Sequence, residues 1–268
     1  MGPYMFPDID PIALDLGIVQ IRWYALAYIT GLVFGWWYAM RVAKSAPNVI
    51  TPKHVDDFMV WAVVGVIIGG RLGHVLFYYP SYYLSNPIEI LKVWEGGMAF
   101  HGGLIGVIVA MILFARKYGF SVFYLSDLVS VVAPVGLFFG RIANFINQEL
   151  WGRVTDVPWA VIFPRAGPEP RHPSQLYEAG LEGLIPFLIL MAMLHWGKAR
   201  YRPGLLTGAF TALYAIGRII GETVREPEVF IDALPFATTY GQWLSLPMLF
   251  FGLFLMARAY KRPLLEAK

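Results

Sequence analysis

Seven apolar stretches, each near the ~20 residues that carry a helix across a bilayer, constrain this 268-residue chain more than any other feature. They cover residues 24–40, 58–79, 98–115, 122–146, 174–196, 205–223 and 240–259. Hydrocarbon offers no partner to a peptide N–H or C=O, so a spanning segment of this length satisfies its backbone as a helix. The expected fold is an all-α integral membrane protein with about seven transmembrane helices and a small extracytoplasmic loop region. Residues 1–268 then form a single polytopic membrane domain, with 148–173 as a loop excursion on the extracytoplasmic side. The chain carries 15% charged residues, against roughly 25% in a soluble domain. Its nine Trp and fifteen Tyr suit interfacial aromatic belts.

Basic residues set the orientation. With the N-terminus outside, twelve of the 21 Lys and Arg fall in the loops and tail of one side, Lys268 among them, and six on the other. Arg71, Arg141 and Arg218 lie inside segments. The positive-inside rule makes the richer side cytoplasmic, which puts the C-terminus there too. Measured at about 1.5 Å per residue, Arg71, Arg141, Arg218 and Glu222 all fall in the outer half of their segments, as does His101. The inner halves are plain hydrocarbon. A site open to the outer leaflet fits this asymmetry better than a conduit does. The net charge of +3 is small and scattered, which excludes a nucleic-acid partner. There is no cysteine, so disulfides, thiolate metal sites and a thiol nucleophile of the protein's own are excluded. Any thiol that reacts here belongs to a substrate.

Charges inside hydrocarbon cost about 2.5–3.5 kcal/mol each on insertion scales, so they face the interior and have partners. Gly140-Arg141-Ile142-Ala143-Asn144-Phe145-Ile146-Asn147-Gln148-Glu149-Leu150-Trp151-Gly152 places a guanidinium, amides and a carboxylate at the end of an apolar run. Arg141, Asn144 and Gln148 share one helix face, which suits a phosphate; an ion pair from Arg141 to Glu149 or Glu178 fits the same spacing. Arg218 and Glu222 stand four apart, with Tyr214 one turn earlier, as a helix salt bridge or as part of a site. His101 lies between glycine pairs in Gly96-Gly97-Met98-Ala99-Phe100-His101-Gly102-Gly103, as a proton acceptor near neutral pH or as an interfacial hydrogen-bonding residue. Ser174 reads as a helix N-cap and His172 as a loop anchor. The histidines form no ligand set, so no metal and no cofactor are expected. Gly65-x-x-x-Gly69-x-x-x-Gly73, Gly102-x-x-x-Gly106, Gly136-x-x-x-Gly140 and Gly217-x-x-x-Gly221 permit close helix packing.

These residues carry a resemblance to the bacterial prolipoprotein diacylglyceryl transferases, from Phe6 to Pro263. The matching segments are Arg22-Trp23-Tyr24, Gly69-Gly70-Arg71, Gly96–Gly103, Gly140–Gly152, Arg171-His172-Pro173-Ser174-Gln175 and Gly217-Arg218-x-x-x-Glu222-x-x-Arg225-x-Pro227. Departures are Ala25 for Gly, Glu95 for Asp, Thr223 for Phe and Glu228 for Asp. The resemblance implies an enzyme of the bacterial inner membrane that moves the diacylglyceryl group of phosphatidylglycerol to the lipobox cysteine of a prolipoprotein signal peptide. A thioether forms and glycerol phosphate leaves, the first step of lipoprotein maturation. It implies His101, Arg141 and Arg218 as catalytic residues and Tyr24, Arg71, Asn144, Glu149, Tyr214 and Glu222 as substrate-binding residues. In that scheme Asn144 and Glu149 orient Arg141, and Glu222 orients Arg218. The competing class is a transporter or binding protein for an anionic solute or lipid, which the absence of an internal repeat counts against. An acyltransferase would need a His-x-x-x-x-Asp motif, and Gly106 stands where its acid belongs.

Overall fold

A helix in lipid is held by packing and by small residues that let backbones approach, since lipid tails are as apolar as its own side chains. The computed structural model describes residues 2–7, 9–17, 20–227 and 238–265; Glu228 and Lys268 lie outside them. In chain order the elements are β1 Tyr4–Met5, β2 Ile12–Asp15, β3 Gln20–Arg22, α1 Trp23–Ala43, α2 Pro52–Phe77, α3 Pro80–Ser85, α4 Phe100–Tyr118 and α5 Val122–Ile146. Then follow β4 Val161–Ile162, β5 Pro170–Arg171, α6 Ser174–Glu178, α7 Ile185–His195, α8 Leu205–Gly221 and α9 Tyr240–Lys261. A π-helical turn, Ala179–Leu184, makes α6 and α7 one continuous rod.

Five helices among the described residues are long and apolar enough to cross a membrane: Pro52–Phe77, Phe100–Tyr118, Val122–Ile146, Ser174–His195 and Tyr240–Lys261. This is a multi-pass, mostly helical membrane protein. The count falls short of the seven equivalent spans expected. Helix α8 is apolar but only 17 residues long. Helix α1 has the length, 21 residues, but its Tyr and Trp carry polar handles that dilute its hydropathy. The short strands also qualify an all-α reading: β1 pairs parallel with β4, β4 antiparallel with β5, and β2 with β3.

The contacts divide the chain into two units, Met1–Tyr38 with Asp127–Lys268, and Ala39–Ser126. In the second, α2 and α4 cross on their glycines. A Cβ on Gly69 would meet the Gly102 carbonyl oxygen and fall 2.8 Å from Gly106 Cα, while one on Gly106 would strike the Gly65 carbonyl oxygen. Backbone cannot move aside as a side-chain end can, so only glycine fits. Beside this seam runs an apolar groove of about 630 Å³, lined by residues such as Val64, Ile68, Leu72, Ile105 and Val109. In the first unit, Phe6, Val161 and Phe163 form a small core beneath the three-stranded sheet, with Phe145 and Trp151 packed on it. Helix α8 begins at Gly204, which has no side chain to cap it. Asp127 of α5 supplies the cap from outside, accepting from Gly204 N (2.8 Å), Thr207 N (2.7 Å) and Thr207 Oγ1 (2.6 Å).

Candidate active site

Glu178 and Glu182 sit one turn apart on the rod 174–195, and their placement begins with Pro186. Proline has no N–H for the Glu182 carbonyl and its ring crowds that carbonyl. The backbone widens instead into a π turn, in which Ile185 N–H reaches the Gly180 carbonyl five residues back. Gly183 lets α5 come close: a Cβ there would lie 2.8 Å from Phe138 Cα. One turn further along α5 stands Arg141.

Its guanidinium meets both carboxylates. Arg141 Nη1 lies 3.0 Å from Glu178 Oε2, and its Nε and Nη2 donate to Glu182 Oε2 at 3.3 and 2.9 Å. Arg218 arrives from α8, with Nη1 3.4 Å from Glu178 Oε1 and 3.6 Å from Glu182 Oε1, and Nη2 paired with Glu222. Arg225, just beyond α8, holds both Glu178 oxygens from Nη1 at 3.2 and 3.4 Å. Tyr214 lies within electrostatic reach of Glu182, Arg218, Arg141 and Glu178. The Glu178 and Glu182 side chains have no exposed surface, whereas those of Arg141 and Arg218 keep 16% and 18% of theirs. Three guanidiniums therefore face three carboxylates, with Arg141 and Arg218 the accessible members and Arg225 buried among them. Forked donors from separate helices are the arrangement that binds phosphate oxygens through paired, charge-assisted hydrogen bonds.

The orienting roles differ from those the sequence led us to expect. Asn144 and Glu149 do not brace Arg141. Asn144 Nδ2 and Asn147 Nδ2 donate to the Glu149 carboxylate at 3.3 and 2.9 Å, and Glu149 N–H returns to the Asn144 carbonyl. The reason is local: Gln148 and Leu150 adopt positive φ, folding Glu149 back onto its own turn. The partners of Arg141 are Glu178, the alternative the spacing left open, and Glu182. Glu222 does pair with Arg218. Ser174 is not an N-cap; its hydroxyl donates to the Leu150 carbonyl at 2.9 Å, tying the helix start to the loop. That loop is ordered by Gly152 N–H to the His172 carbonyl, His172 N–H to the Arg153 carbonyl and Arg153 Nε to the Arg225 carbonyl. His172 anchors it, with Nδ1 3.3 Å from the Tyr177 hydroxyl, and burial lowers the pKa of its imidazole. Tyr24 is half-buried in the first turn of α1, its hydroxyl 3.4 Å from that of Tyr28.

Arg71 and His101 belong to the other unit. Arg71 is buried, and its guanidinium donates to the carbonyls of Glu89 (2.5 Å), Ile90 (2.9 Å) and Gly96 (2.6 Å) while lying over the Tyr83 ring. Gly97, at φ 72°, leaves room for it, since a Cβ would fall 2.7 Å from Arg71 Nη1. Through these carbonyls Arg71 organises the 87–97 segment. His101 is exposed in the first turn of α4, its ring edge-on to Phe100. Among the described residues no group of three or more His, Asp or Glu could hold a metal.

The sequence model for prolipoprotein diacylglyceryl transferase matches residues 11–258. The chain belongs to the prolipoprotein diacylglyceryl transferase family. It is 55% identical over 262 residues to a protein of Rhodospirillum centenum, covering 97% of this chain and 95% of that one. It is 54% identical to one of Paramagnetospirillum magneticum, covering 96% of each. A third relative, from Gluconacetobacter diazotrophicus, is 52% identical, covering 97% of this chain and 93% of that one. Each bears the name phosphatidylglycerol–prolipoprotein diacylglyceryl transferase. In this member of the family, Glu182 and Arg225 are the cluster residues that motif reading left without a role. A second carboxylate one turn after Glu178, inside an apolar span, was the available signal.

Proposed function

We propose that the protein transfers the diacylglyceryl group of phosphatidylglycerol to the cysteine thiol of a prolipoprotein. The observation that carries this reading is the convergence of Arg141 and Arg218, from two helices, on one pair of buried carboxylates. In the reaction the thiol sulfur bonds to the glycerol carbon that carries the phosphate, and that carbon–oxygen bond breaks. The electron pair leaves with glycerol phosphate, the thiol proton goes to a base, and a thioether remains. A thiol of pKa about 8.5 needs little help to ionise. The phosphate passes from one negative charge towards two, so fixed guanidiniums stabilise the transition state more than the ground state.

Arg141 and Arg218 hold the phosphate in this scheme, and Glu222 positions Arg218. Tyr214 and Tyr24 bind head-group or glycerol oxygens, and His101 takes the thiol proton. Arg71, Asn144 and Glu149 act through the backbone they organise. The setting this reading takes is the bacterial inner membrane, with the chain as one polytopic domain in which α1 and α8 also span; the Lys and Arg bias supports the sidedness. The N-terminus lies outside, the C-terminus in the cytoplasm, and residues 148–173 cover a site opening to the outer leaflet.

Purified protein given labelled phosphatidylglycerol and a lipobox peptide should pass label to the peptide only when its cysteine is present. Label retained by a serine-substituted peptide, or none transferred, overturns the reading. His101→Gln should cut turnover at least about 100-fold; near-normal turnover removes the base assignment alone.

A further inference from the structure

The arginine cluster contains an internal anion whose bonding is incomplete. Glu178 meets all three arginines, and Glu222 is paired with Arg218. Glu182 differs. Its Oε2 accepts from Arg141, but its Oε1 is buried without a hydrogen-bond partner among the described residues, the nearest cation being Arg218 Nη1 at 3.6 Å. A buried carboxylate oxygen left in this condition calls for a reason. Glu182 also occupies two donors that a phosphate would need, Arg141 Nε and Nη2, and sets its charge beside Arg218 without taking a hydrogen bond from it. The formal charge of the cluster is already balanced, three against three. A phosphate that joins it without displacing anything adds an uncompensated charge to a mostly buried site, which is costly.

From this we propose that Glu182 is a displaceable counter-ion. It holds Arg141 and Arg218 at phosphate-binding separation, and yields the N–H groups of Arg141 and its place beside Arg218 when a lipid phosphate arrives. The inference rests on the phosphate reading given above. Glu182 is here a positioning residue, acting through the two arginines. Its seat on the π turn suits the task, because the Pro186 carbonyl clash keeps that stretch of helix wide and its hydrogen bonding irregular. The groups facing it are Arg141 from α5, Arg218 and Tyr214 from α8, and Glu178 on its own rod. Charge matters more than shape in such a role. An isosteric amide should leave the arginines more strongly attractive to an anion, at a cost to the resting fold.

The test uses the full chain in neutral-detergent micelles, with melting temperature followed as phosphatidylglycerol or diacylglycerol, which has the same acyl chains but no phosphate, is added. Without lipid, Glu182→Gln should melt below the unsubstituted protein. Phosphatidylglycerol should then raise its melting temperature by more than it raises that of the unsubstituted protein, as a ligand binding only the folded state does. Its apparent affinity for that lipid should rise about tenfold, and its KM in the transfer assay should fall while kcat does not rise. In an Arg141→Lys background the gain should shrink, because the two residues act as a pair. Equal increments in both proteins identify Glu182 as a mere brace and overturn the inference. If the unsubstituted protein responds equally to both lipids, the phosphate reading fails instead. Should Glu182→Gln not fold, Glu182→Asp, which keeps the charge but withdraws it, must show a smaller gain in the same direction; no gain overturns the proposal.

Discussion

Asp127→Ala offers a perturbation whose size follows from three contacts. The carboxylate of Asp127 caps α8 from a neighbouring helix, taking the N–H groups of Gly204 and Thr207 and the hydroxyl of Thr207. Both Asp127 and Gly204 are buried, so water cannot substitute for the lost acceptor. Loss of an N-cap side chain costs about 0.5–2 kcal/mol. A buried donor left unpaired adds about 1–3 kcal/mol. These overlap, and together they give roughly 3 kcal/mol. For a chain of this size, 1 kcal/mol moves Tm by about 2–4 °C, so Asp127→Ala should melt about 6–12 °C lower. Amide exchange should quicken first at the opening turn of α8, at Gly204 and Thr207. Asp127→Asn should fall between the two, since its oxygen can serve one donor but its amide repels the other. The transfer reaction, assayed well below the transition, should keep its KM, because Arg218 lies several turns along the helix. A Tm within about 2 °C of the unsubstituted protein would refute the capping argument. So would faster exchange at the far end of α8 with its first turn unchanged.

Other predictions concern the site and its frame. Arg141→Ala should lose at least about 100-fold in kcat/KM for phosphatidylglycerol, and Arg141→Lys should recover only part of it, since an ammonium cannot reproduce the fork. Labelled-lipid transfer measures both, and unimpaired Arg141→Ala sinks the phosphate role. Gly106→Val should abolish stable folding, or cost several kcal/mol, through its clash with the Gly65 backbone. Gly103→Ala, whose new Cβ meets nothing closer than 3.7 Å, should be tolerated; equal effects of the two in a thermal melt would contradict the seam. Burial lowers the pKa of His172 in the folded protein, so the unfolded chain takes up this proton first as pH falls. The stability contributed is present above the unfolded pKa of about 6.5 and is lost as pH drops below it. His172→Asn should flatten the fall of Tm between pH 7.5 and 5.5, and an unchanged slope rules this contribution out.

Much of the frame is legible in the chain because bilayer physics acts on segments one at a time. A run such as 122–146 must be helical whatever surrounds it, and the helix Val122–Ile146 has those very bounds. The i, i+4 spacing of Arg218 and Glu222 likewise survives as a direct pair, since only one helix decides it. Asn144 and Glu149 were misread because their relation to Arg141 depends on a turn. Two residues at positive φ redirect Glu149, and neither Gln148 nor Leu150 announces that conformation. The partners of Arg71 were hidden for a different reason: the carbonyls that engage it come from up to 26 residues away.

The sequence alone determined a helical membrane protein of this family, with its cations shared unevenly among its loops and three arginines inside its apolar segments. Those properties are sums over single residues and single helices, so no tertiary information is needed to read them. Which carboxylate faces which guanidinium was decided by the fold. It depends on a π turn set by Pro186, on glycine contacts such as Gly183 with Phe138, and on a loop that brings Arg225 back to Glu178. An ion pair is a matter of a few ångströms between distant parts of the chain, and only packing fixes that distance.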